Sequence, residues 1–301
     1  MKRAVSISLG SSKRDKSVEI ELLGHKIQIE RIGTDGDMEK AAQLYKELDG
    51  KVDAFGVGGA DLGLTVDDKW YPLHSVKPMV RYVKHTPLVD GAGLKGTLEN
   101  KAASFIDKNI PDHIENFGRK AFIMTGSDRW GLANSFLQSN YECTFGDLMF
   151  SLGIPFPLYT KRQLKSLATI LMPIAGRLPF KWIYPTGEKQ EERIPKHGDI
   201  FNWSTVTAGD CHYIKRYMPN KMDNKVIVTN TTTAEDVELF RETGCKYLIT
   251  TTPVLDGRSF GTNAMEAALI AISGKKRELT HDELNGYLEK LDFKMQMQVL
   301  N

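Results

Sequence analysis

The sequence predicts an α/β protein of two domains: an N-terminal mixed α/β domain, a C-terminal doubly wound parallel-sheet (Rossmann-like) domain, and a cleft between them. The length of 301 residues suits two domains, at roughly 150 residues each. Hydrophobic residues make up 41% and charged residues 26%, which is typical of a soluble globular chain. Beyond residue 119, short apolar segments alternate with helical patterns, which favours a parallel sheet covered on both faces.

Residues 1–112 are rich in strand patterns, and we assign them to the N-terminal domain. Gly24-His25 predicts a tight hairpin between two strands, and Asp37 is a suitable cap for the helix that follows. The polar run 109–119 predicts a linker. The predicted strands are 4–9, 19–23, 26–32, 52–57, 62–66, 70–73 and 87–89, and the predicted helices are 37–48, 75–84 and 94–108.

Residues 113–301 show regular alternation of strands and helices and form the predicted Rossmann-like domain. Pro173 ends or kinks one helix, and Thr280 with Glu283 forms a capping box for the last. The predicted strands are 121–124, 141–145, 205–208, 226–229 and 247–250, and the predicted helices are 130–139, 163–175, 234–243, 263–272 and 280–292. Ligands of such sheets bind outside the carboxyl ends of the strands, so the loops there are the place to search.

Charge and cysteine content exclude several classes of function. Lys and Arg number 40 against 38 Asp and Glu, a net charge of +2 that argues against a dedicated nucleic-acid binder. Three dispersed cysteines fit a reduced, cytoplasmic protein and offer no zinc site, so no metal is predicted. The apolar stretches are too short to span a membrane. A small-molecule substrate is expected, and the assembly is left open, a homodimer included.

The loop after strand 121–124 resembles a dinucleotide-binding turn. Gly126 and Gly131 occupy the first and last glycine positions of G-x-G-x-x-G, with Ser127, Asp128 and Arg129 between them. Asp128 replaces the middle glycine and would place a carboxylate towards a pyrophosphate. The loop therefore predicts a nucleotide site with one departure from the fingerprint.

Asp147 strengthens the nucleotide prediction, because it ends the next strand 21 residues after Gly126. An acidic residue at that place takes the ribose hydroxyls of NAD and repels the 2′-phosphate of NADP. Thr231, Thr232 and Thr251 end two further strands and could hold a phosphate or a carboxylate at helix starts. The alternative is that β-branched residues simply favour strands.

Three residues are candidates for substrate binding. Arg258 lies in a Gly-flanked loop just before the helix start at Asn263, where a guanidinium suits a carboxylate. Lys189 lies in the long polar loop 184–190 and could meet an acidic substrate, because loops of this kind often form lids. A solvated surface charge is the alternative for both cations.

Four residues are candidates for acid–base catalysis. Lys95 enters a helix near Asp90, and Asp61 follows another Gly-rich strand end; a Lys–Asp pair can move a proton to or from a hydroxyl. His212 is the other candidate, because it lies on the predicted ligand edge two residues from Asp210.

Several strings resemble a family of bacterial proteins of about this length that is labelled quinate 5-dehydrogenase. The resemblance covers nearly the whole chain. It implies an oxidoreductase that acts on a cyclic hydroxy acid. The strings are SLGSS at 8–12, GTDGD at 33–37, FGDLMF at 145–150, the loop 184–190, NTTT at 230–233, TTTP at 250–253 and GRSFGTN at 257–263.

The sequence thus predicts an NAD-dependent oxidoreductase that transfers a hydride to or from a small hydroxy acid. Two alternatives stay open. One is a non-redox enzyme, a transferase or lyase for a phosphorylated or carboxylated metabolite, in which Asp128 holds a magnesium ion or acts as a base. The other is a non-catalytic metabolite-binding protein, because two domains around a cleft can close on a ligand without chemistry.

Overall fold

A five-stranded sheet forms the N-terminal part of the computed structural model, which describes residues 1–180, 193–252 and 261–301 and the two short strands between the last ranges. The strand order is β2-β3-β1-β4-β7, and every strand except β2 is parallel to its neighbours. The elements are β1 (Lys2–Ser8), β2 (Lys16–Leu22), β3 (His25–Gly33), α1 (Met38–Leu48), β4 (Ala54–Gly58), β5 (Gly63–Val66), β6 (Lys69–Pro72), α2 (Lys77–Val80) and β7 (Leu88–Val89).

A second sheet of six strands follows, in the order β9-β8-β10-β11-β12-β15. Its first five strands are parallel, and β15 is antiparallel to β12. The elements are α3 (Ala92–Glu99), α4 (Ala102–Asn109), α5 (Pro111–Phe117), β8 (Lys120–Ile123), α6 (Trp130–Gln138), β9 (Glu142–Phe145), α7 (Asp147–Ser151), α8 (Lys161–Ala175), α9 (Gly198–Trp203), β10 (Val206–Ala208), α10 (Cys211–Tyr217), β11 (Val226–Thr229), α11 (Ala234–Glu242), β12 (Tyr247–Thr250), β13 (Val254–Leu255), β14 (Arg258–Ser259), α12 (Thr262–Ser273), α13 (His281–Lys290) and β15 (Gln296–Val299).

The two sheets confirm the predicted α/β class, and each has a point where the chain reverses its direction of growth. In the second sheet the point lies between β8 and β10, because β9 was added on one side of β8 and β10 on the other. In the first sheet it lies between β1 and β4. The carboxyl ends of the strands beside such a point form a crevice in which α/β proteins bind ligands.

The last third of the chain returns to the first sheet, which differs from the predicted assignment of 113–301 to one domain. Helix α12 is buried along most of its length and packs on β1, β3 and β4, while α13 packs on α3. Only β15 then rejoins the second sheet. The reason is the apolar surface of α12: buried residues run through all of its turns, so it needs a deep position against a sheet.

The predicted linker at 109–119 is instead α5, whose Ile114 packs in the core beneath the second sheet. The predicted helix 94–108 is two helices that separate at Asn100 and Lys101. Pro111 occupies the first position of α5, where its missing N–H costs nothing. The boundary between the parts therefore falls near residue 100, before α4 joins the second core.

The predicted helix caps are confirmed. Asp37 accepts a hydrogen bond from the Lys40 N–H at 2.9 Å, and Thr280 with Glu283 forms the capping box of α13. Pro173 lies in the last turn of α8 without ending it, and the helix stops two residues later. The helix thus ends at Ala175 as predicted, and it begins two residues earlier than predicted, at Lys161.

The two parts of the molecule meet where α3 crosses α6. The glycines at the crossing let the backbones approach: a methyl group on Gly131 would lie 2.7 Å from the Glu99 Cβ and 2.9 Å from the Gly96 carbonyl oxygen. Helix α8 forms the other contact, because Ala168 and Met172 pack with the core under the first sheet. The close contact with α6 therefore fixes the position of α3 at the junction of the two parts.

We predict that Gly131→Ala destabilises the protein by about 1–3 kcal/mol, because the added methyl group meets backbone that cannot move aside. Gly286→Ala in α13 is the matched control: the space beside Gly286 is open, so the better helix former should raise stability by up to about 1 kcal/mol. Urea unfolding of both variants measures the difference. A Gly131→Ala protein as stable as the wild type would show that the crossing is not tightly packed.

Candidate functional site

Lys95 lies where the carboxyl edges of the two sheets meet. It is partly buried on the first turn of α3, and the charges of Asp61, from the loop after β4, and of Asp128, from the loop after β8, favour its ammonium form. Glu99, one turn further along α3, is a third carboxylate near it. The structure therefore brings together Lys95, Asp61 and Asp128, which the sequence predicted separately for catalysis and cofactor binding.

The charge of Lys95 is stabilised by these carboxylates. Burial acts to lower the pKa of Lys95, and so does the neighbouring charge of Arg129. Asp128, Asp61 and Glu99 outweigh both effects and hold the pKa above its ordinary value. Lys95 is consequently an ammonium ion at neutral pH, which can donate hydrogen bonds or a proton but cannot act as a general base.

Arg129 joins this group to the second sheet. Its side chain is 6% exposed, and its Nη1 and Nη2 atoms each donate a 2.7 Å bond, to Glu99 and to Asp210 respectively. The Nε atom lies 3.5 Å from an Asp128 oxygen. We call Lys95, Asp61, Glu99, Asp128, Arg129 and Asp210 the Lys95 centre. It contains four carboxylates and two cations.

The Arg129–Asp210 pair crosses the point of strand reversal in the second sheet. Asp210 follows β10, whereas Arg129 follows β8, and Asn230 donates to the same Asp210 oxygen at 2.9 Å. Burial acts to raise the pKa of Asp210. Arg129, His212 and Asn230 lower it by more than burial raises it, so the pKa of Asp210 is below its ordinary value. The crevice predicted to receive a nucleotide is thus bridged by the chain's own ion pair.

Asp147 is committed to the loop that precedes α6 and not turned towards solvent. Its carboxylate accepts hydrogen bonds from the Gly126 and Ser127 N–H groups, both at 2.8 Å, and from the Ser127 hydroxyl. The side chain is buried, and burial raises its pKa. The predicted contact with ribose hydroxyls would require these bonds to be exchanged.

The glycines of the predicted nucleotide turn serve packing. A methyl group on Gly126 would lie 2.7 Å from the Phe145 ring and 2.8 Å from Leu164, and Gly131 is required by the crossing of α3 and α6. Asp128 at the middle position interacts with Lys95 and Arg129. The residues present therefore do not supply the contacts that NAD needs in this loop.

Asp90, a predicted catalytic residue, begins α3 and does not pair with Lys95. Its two oxygens accept hydrogen bonds from the Leu62 N–H at 2.6 Å and the Ala92 N–H at 2.9 Å. Glu266 of α12 lies below it, 3% exposed, and accepts from the Leu94 N–H at 2.9 Å. Two carboxylates thus hold the first turn of α3 and set the position of Lys95.

The remaining predicted residues are spread along the edge of the second sheet. His212 is exposed, and its backbone N–H donates to Asp210 at 2.9 Å. Thr231 donates to Thr252 at 3.1 Å, which confirms that the two threonine runs are neighbours. Thr251 is buried, with its N–H bonded to the Thr229 carbonyl, and Thr232 is partly exposed.

The three predicted substrate residues do not assemble into a described site. Asn263 uses its amide to bond the Ser6 hydroxyl at 2.7 Å, which seats the start of α12 on β1 and β4. Lys189 and the loop 184–190 lie outside the described residues. Arg258 is described only as part of β14, so its side chain lies outside them as well.

Two residues of functional interest escaped the sequence prediction. Glu99 lies four residues after Lys95, a spacing that places both on one face of a helix and could have identified it. Glu266 is a single carboxylate within the apolar run AMEAALIAI, and an acid in such a run signals a buried hydrogen-bonding role. The sequence prediction names Asp210 only as a neighbour of His212 and gives it no role of its own.

The described residues contain no group of three or more His, Cys, Asp or Glu side chains arranged to hold a metal ion. Among the helices of the same residues, none has the length and apolar character needed to cross a membrane. A surface groove of 800 Å³ lies beside α8, and one of 610 Å³ lies beside the residues that follow this helix, at Arg177–Phe180. Neither is lined by a residue of the Lys95 centre.

Comparison with protein families gives two matches. The family model described as "Domain of unknown function (DUF8754)" matches residues 93–300, and "Domain of unknown function (DUF8753)" matches residues 3–90. The border between them lies just before α3. A search of curated proteins gives no match.

Solved structures show weak likeness. NAD-dependent malic enzyme from Thermotoga maritima is 12% identical, with 95% of this chain and 75% of that chain covered and a TM-score of 0.42. GanP, a glucose-galactose binding protein from Geobacillus stearothermophilus, is 10% identical, with 99% and 97% covered and a TM-score of 0.37. A galactofuranose binding protein is 12% identical, with 96% and 98% covered and a TM-score of 0.37. These scores are too low to transfer a ligand or an activity.

We predict that Asp147→Ala destabilises the protein by about 2–4 kcal/mol, because the Gly126 and Ser127 N–H groups lose their acceptor. Chemical denaturation measures the change. Glu242→Ala, an exposed change at the end of α11, is the control and should stay within about 0.5 kcal/mol of wild type. If Asp147→Ala were as stable as the wild type, the Asp147 carboxylate would not be needed to hold the loop, and in the wild type it would be available to a ligand.

We predict that Glu266 makes stability fall as pH rises. Burial, helped by Asp90 and Glu278, raises its pKa from 4.5 to about 7, so the folded state keeps a proton that the unfolded chain loses. The loss amounts to up to about 3 kcal/mol between pH 4.5 and 7. Unfolding of Glu266→Gln across this pH range should show a flatter profile, and a profile parallel to that of the wild type would exclude Glu266 as its source.

Proposed function

The chain belongs to the DUF8754 family, and we propose that it binds a small, hydroxylated metabolite at the Lys95 centre. The observation that carries this proposal is the charge cluster at the sheet edges, in which Arg129 bonds both Glu99 and Asp210 at 2.7 Å and the charges of Asp61 and Asp128 act on Lys95. Residues at such edges are positioned by rigid strands, and they can contact one molecule from two sides.

The Lys95 centre suits hydroxyl groups. Carboxylates accept hydrogen bonds from hydroxyls, and the Lys95 ammonium donates to hydroxyl or carbonyl oxygens. Among the described residues, Glu99 Oε2 and Arg129 Nε are buried polar atoms that have no hydrogen-bond partner. One is an acceptor and the other a donor, which is the pair that a hydroxyl group can satisfy.

The charge of the centre favours a neutral group over an anion. Asp61, Glu99, Asp128 and Asp210 exceed the cations Lys95 and Arg129 by two negative charges when all are ionised. An anionic group placed among them would be repelled in a partly buried site. The hydroxyl-bearing part of the metabolite, and not its carboxylate or phosphate, is therefore the part we place there.

A second candidate is the NAD-dependent oxidoreductase that the sequence predicts, acting on a small hydroxy acid such as quinate or shikimate. One feature supports it, because the charge of Asp61 acts on Lys95 at the sheet edge. The occupied Asp147 and the bridged crevice between β8 and β10 count against NAD binding. A cofactor titration separates the two candidates.

We predict that Lys95→Met weakens metabolite binding at least tenfold, because a buried hydrogen bond to a charged group is lost. Calorimetry measures the affinity for four ligands: myo-inositol, glucose, shikimate and quinate. Native mass spectrometry detects any small molecule that co-purifies. Lys221→Met, which changes an exposed lysine, is the control. Asp128→Asn gives a second test, and circular dichroism checks that each variant is folded.

Two outcomes would contradict this proposal. Wild-type protein that binds no member of the panel and carries no co-purifying molecule would exclude a metabolite site. Binding of NAD⁺ or NADP⁺ at millimolar concentration, lost in Asp147→Ala but kept in Lys95→Met, would instead support the oxidoreductase.

A further inference from the structure

The first sheet has its own point of strand reversal, between β1 and β4. The loops after these two strands touch: a methyl group on Gly59 would lie 3.3 Å from the Gly10 nitrogen. Gly59 has a positive φ of 72°, so the turn after β4 favours glycine. The loop after β1 is therefore packed directly against the loop after β4.

Two arginine side chains converge beside Gly10. A methyl group at this position would lie 2.7 Å from Arg14 Nη2 and 3.0 Å from Arg31 Nη2, so both guanidinium groups border the same small volume. Arg14 comes from the short turn after β1, and Arg31 comes from the end of β3. The carboxyl ends of two adjacent strands therefore place two positive charges side by side.

Arg31 is held firmly in this position. It donates to Ser8 Oγ at 3.1 Å, to the Ser11 carbonyl at 3.0 Å and to Asp15 at 2.9 Å. These three bonds leave donors of its five N–H groups for a ligand. Arg14 is exposed, and within the described part of the chain no carboxylate forms an ion pair with it.

The nearby charges do not remove the repulsion between the arginines. Burial and the charge of Arg14 lower the pKa of Arg31, while Asp15 and Asp35 raise it less. Asp35 is engaged by the Ser12 N–H at 2.8 Å and interacts with Lys13. A pair of like charges that border the same small volume is stabilised when an anion binds between them.

We propose that Arg14 and Arg31 form a binding site for an oxyanion, the phosphate or carboxylate of a small molecule, at the carboxyl edge of the first sheet. Two guanidinium groups are the preferred partners of such planar or tetrahedral oxyanions, because they donate several charge-assisted bonds in a fixed geometry. The site is distinct from the Lys95 centre in residues and in charge, and it does not depend on the function proposed there.

Arg14→Gln tests the site with little risk to the fold, because Arg14 is exposed. Inorganic phosphate and malonate are titrated separately at constant ionic strength, and the Gly10 amide and arginine Nε–H resonances are followed by NMR. We expect both anions to shift these resonances in the wild type and Arg14→Gln to weaken the binding at least tenfold. The stronger anion then identifies the preferred chemistry.

Lys13→Gln is the matched control, since it removes a neighbouring exposed cation from the same turn. It should keep wild-type affinity for both anions. Lys95→Met should keep that affinity too, because Lys95 belongs to the other proposed site. Equal binding by Arg14→Gln and the wild type, or equal loss in Lys13→Gln, would show non-specific charge attraction and overturn the proposal. An absence of shifts at Gly10 in the wild type would overturn it as well.

Discussion

The buried Arg129 guanidinium ties the two halves of the molecule together. It bonds Glu99 on a helix of the first half and Asp210 on the edge of the second sheet, each at 2.7 Å. A buried ion pair contributes little net stability, because desolvation offsets most of the attraction, but a missing partner leaves an uncompensated charge. The geometry of α3 relative to β8 and β10 is therefore specified by this contact more than it is stabilised by it.

The position of Lys95 follows from that constraint. Arg129 fixes the end of α3 through Glu99, whereas Glu266 fixes the start of the same helix through the Leu94 N–H. Lys95 lies between these two anchors on α3, so they fix its backbone position relative to Asp61 and Asp128. The raised pKa of Lys95 thus depends on how the two halves are joined. A substitution at Arg129 or Glu266 should change this pKa by moving α3.

Local patterns predicted most of the fold. The hairpin of β2 and β3, the caps at Asp37 and Thr280, and the five parallel strands of the second sheet are written in short-range periodicity and turn chemistry. The return of α12 to the first sheet could not be predicted this way, because a helix buried on all sides shows no preferred face that would identify its neighbour. Strand β15 was not predicted either, because its partners lie some 50 residues earlier in the chain.

The candidate site was predicted in its parts and not in its connections. Spacing placed Asp147 where a ribose would be bound, but it could not show that the Gly126 and Ser127 N–H groups already use that carboxylate. Loop position placed Lys95, Asp61 and Asp128 at sheet edges, but only the packing of α3 against α6 shows that these edges meet.

The carboxyl edges of the two sheets differ in the way their charges are satisfied. Between β8 and β10, a cation and its carboxylates neutralise each other within the chain, so a ligand there must exchange existing bonds. Beside β1 in the first sheet, Arg14 and Arg31 face each other with one carboxylate paired to the second of them. The free energy available to an incoming anion is greater where the chain's own charges repel than where they are already paired. Each sheet presents polar loops at the carboxyl ends of its strands, and local charge decides which of the two edges is open to an anion.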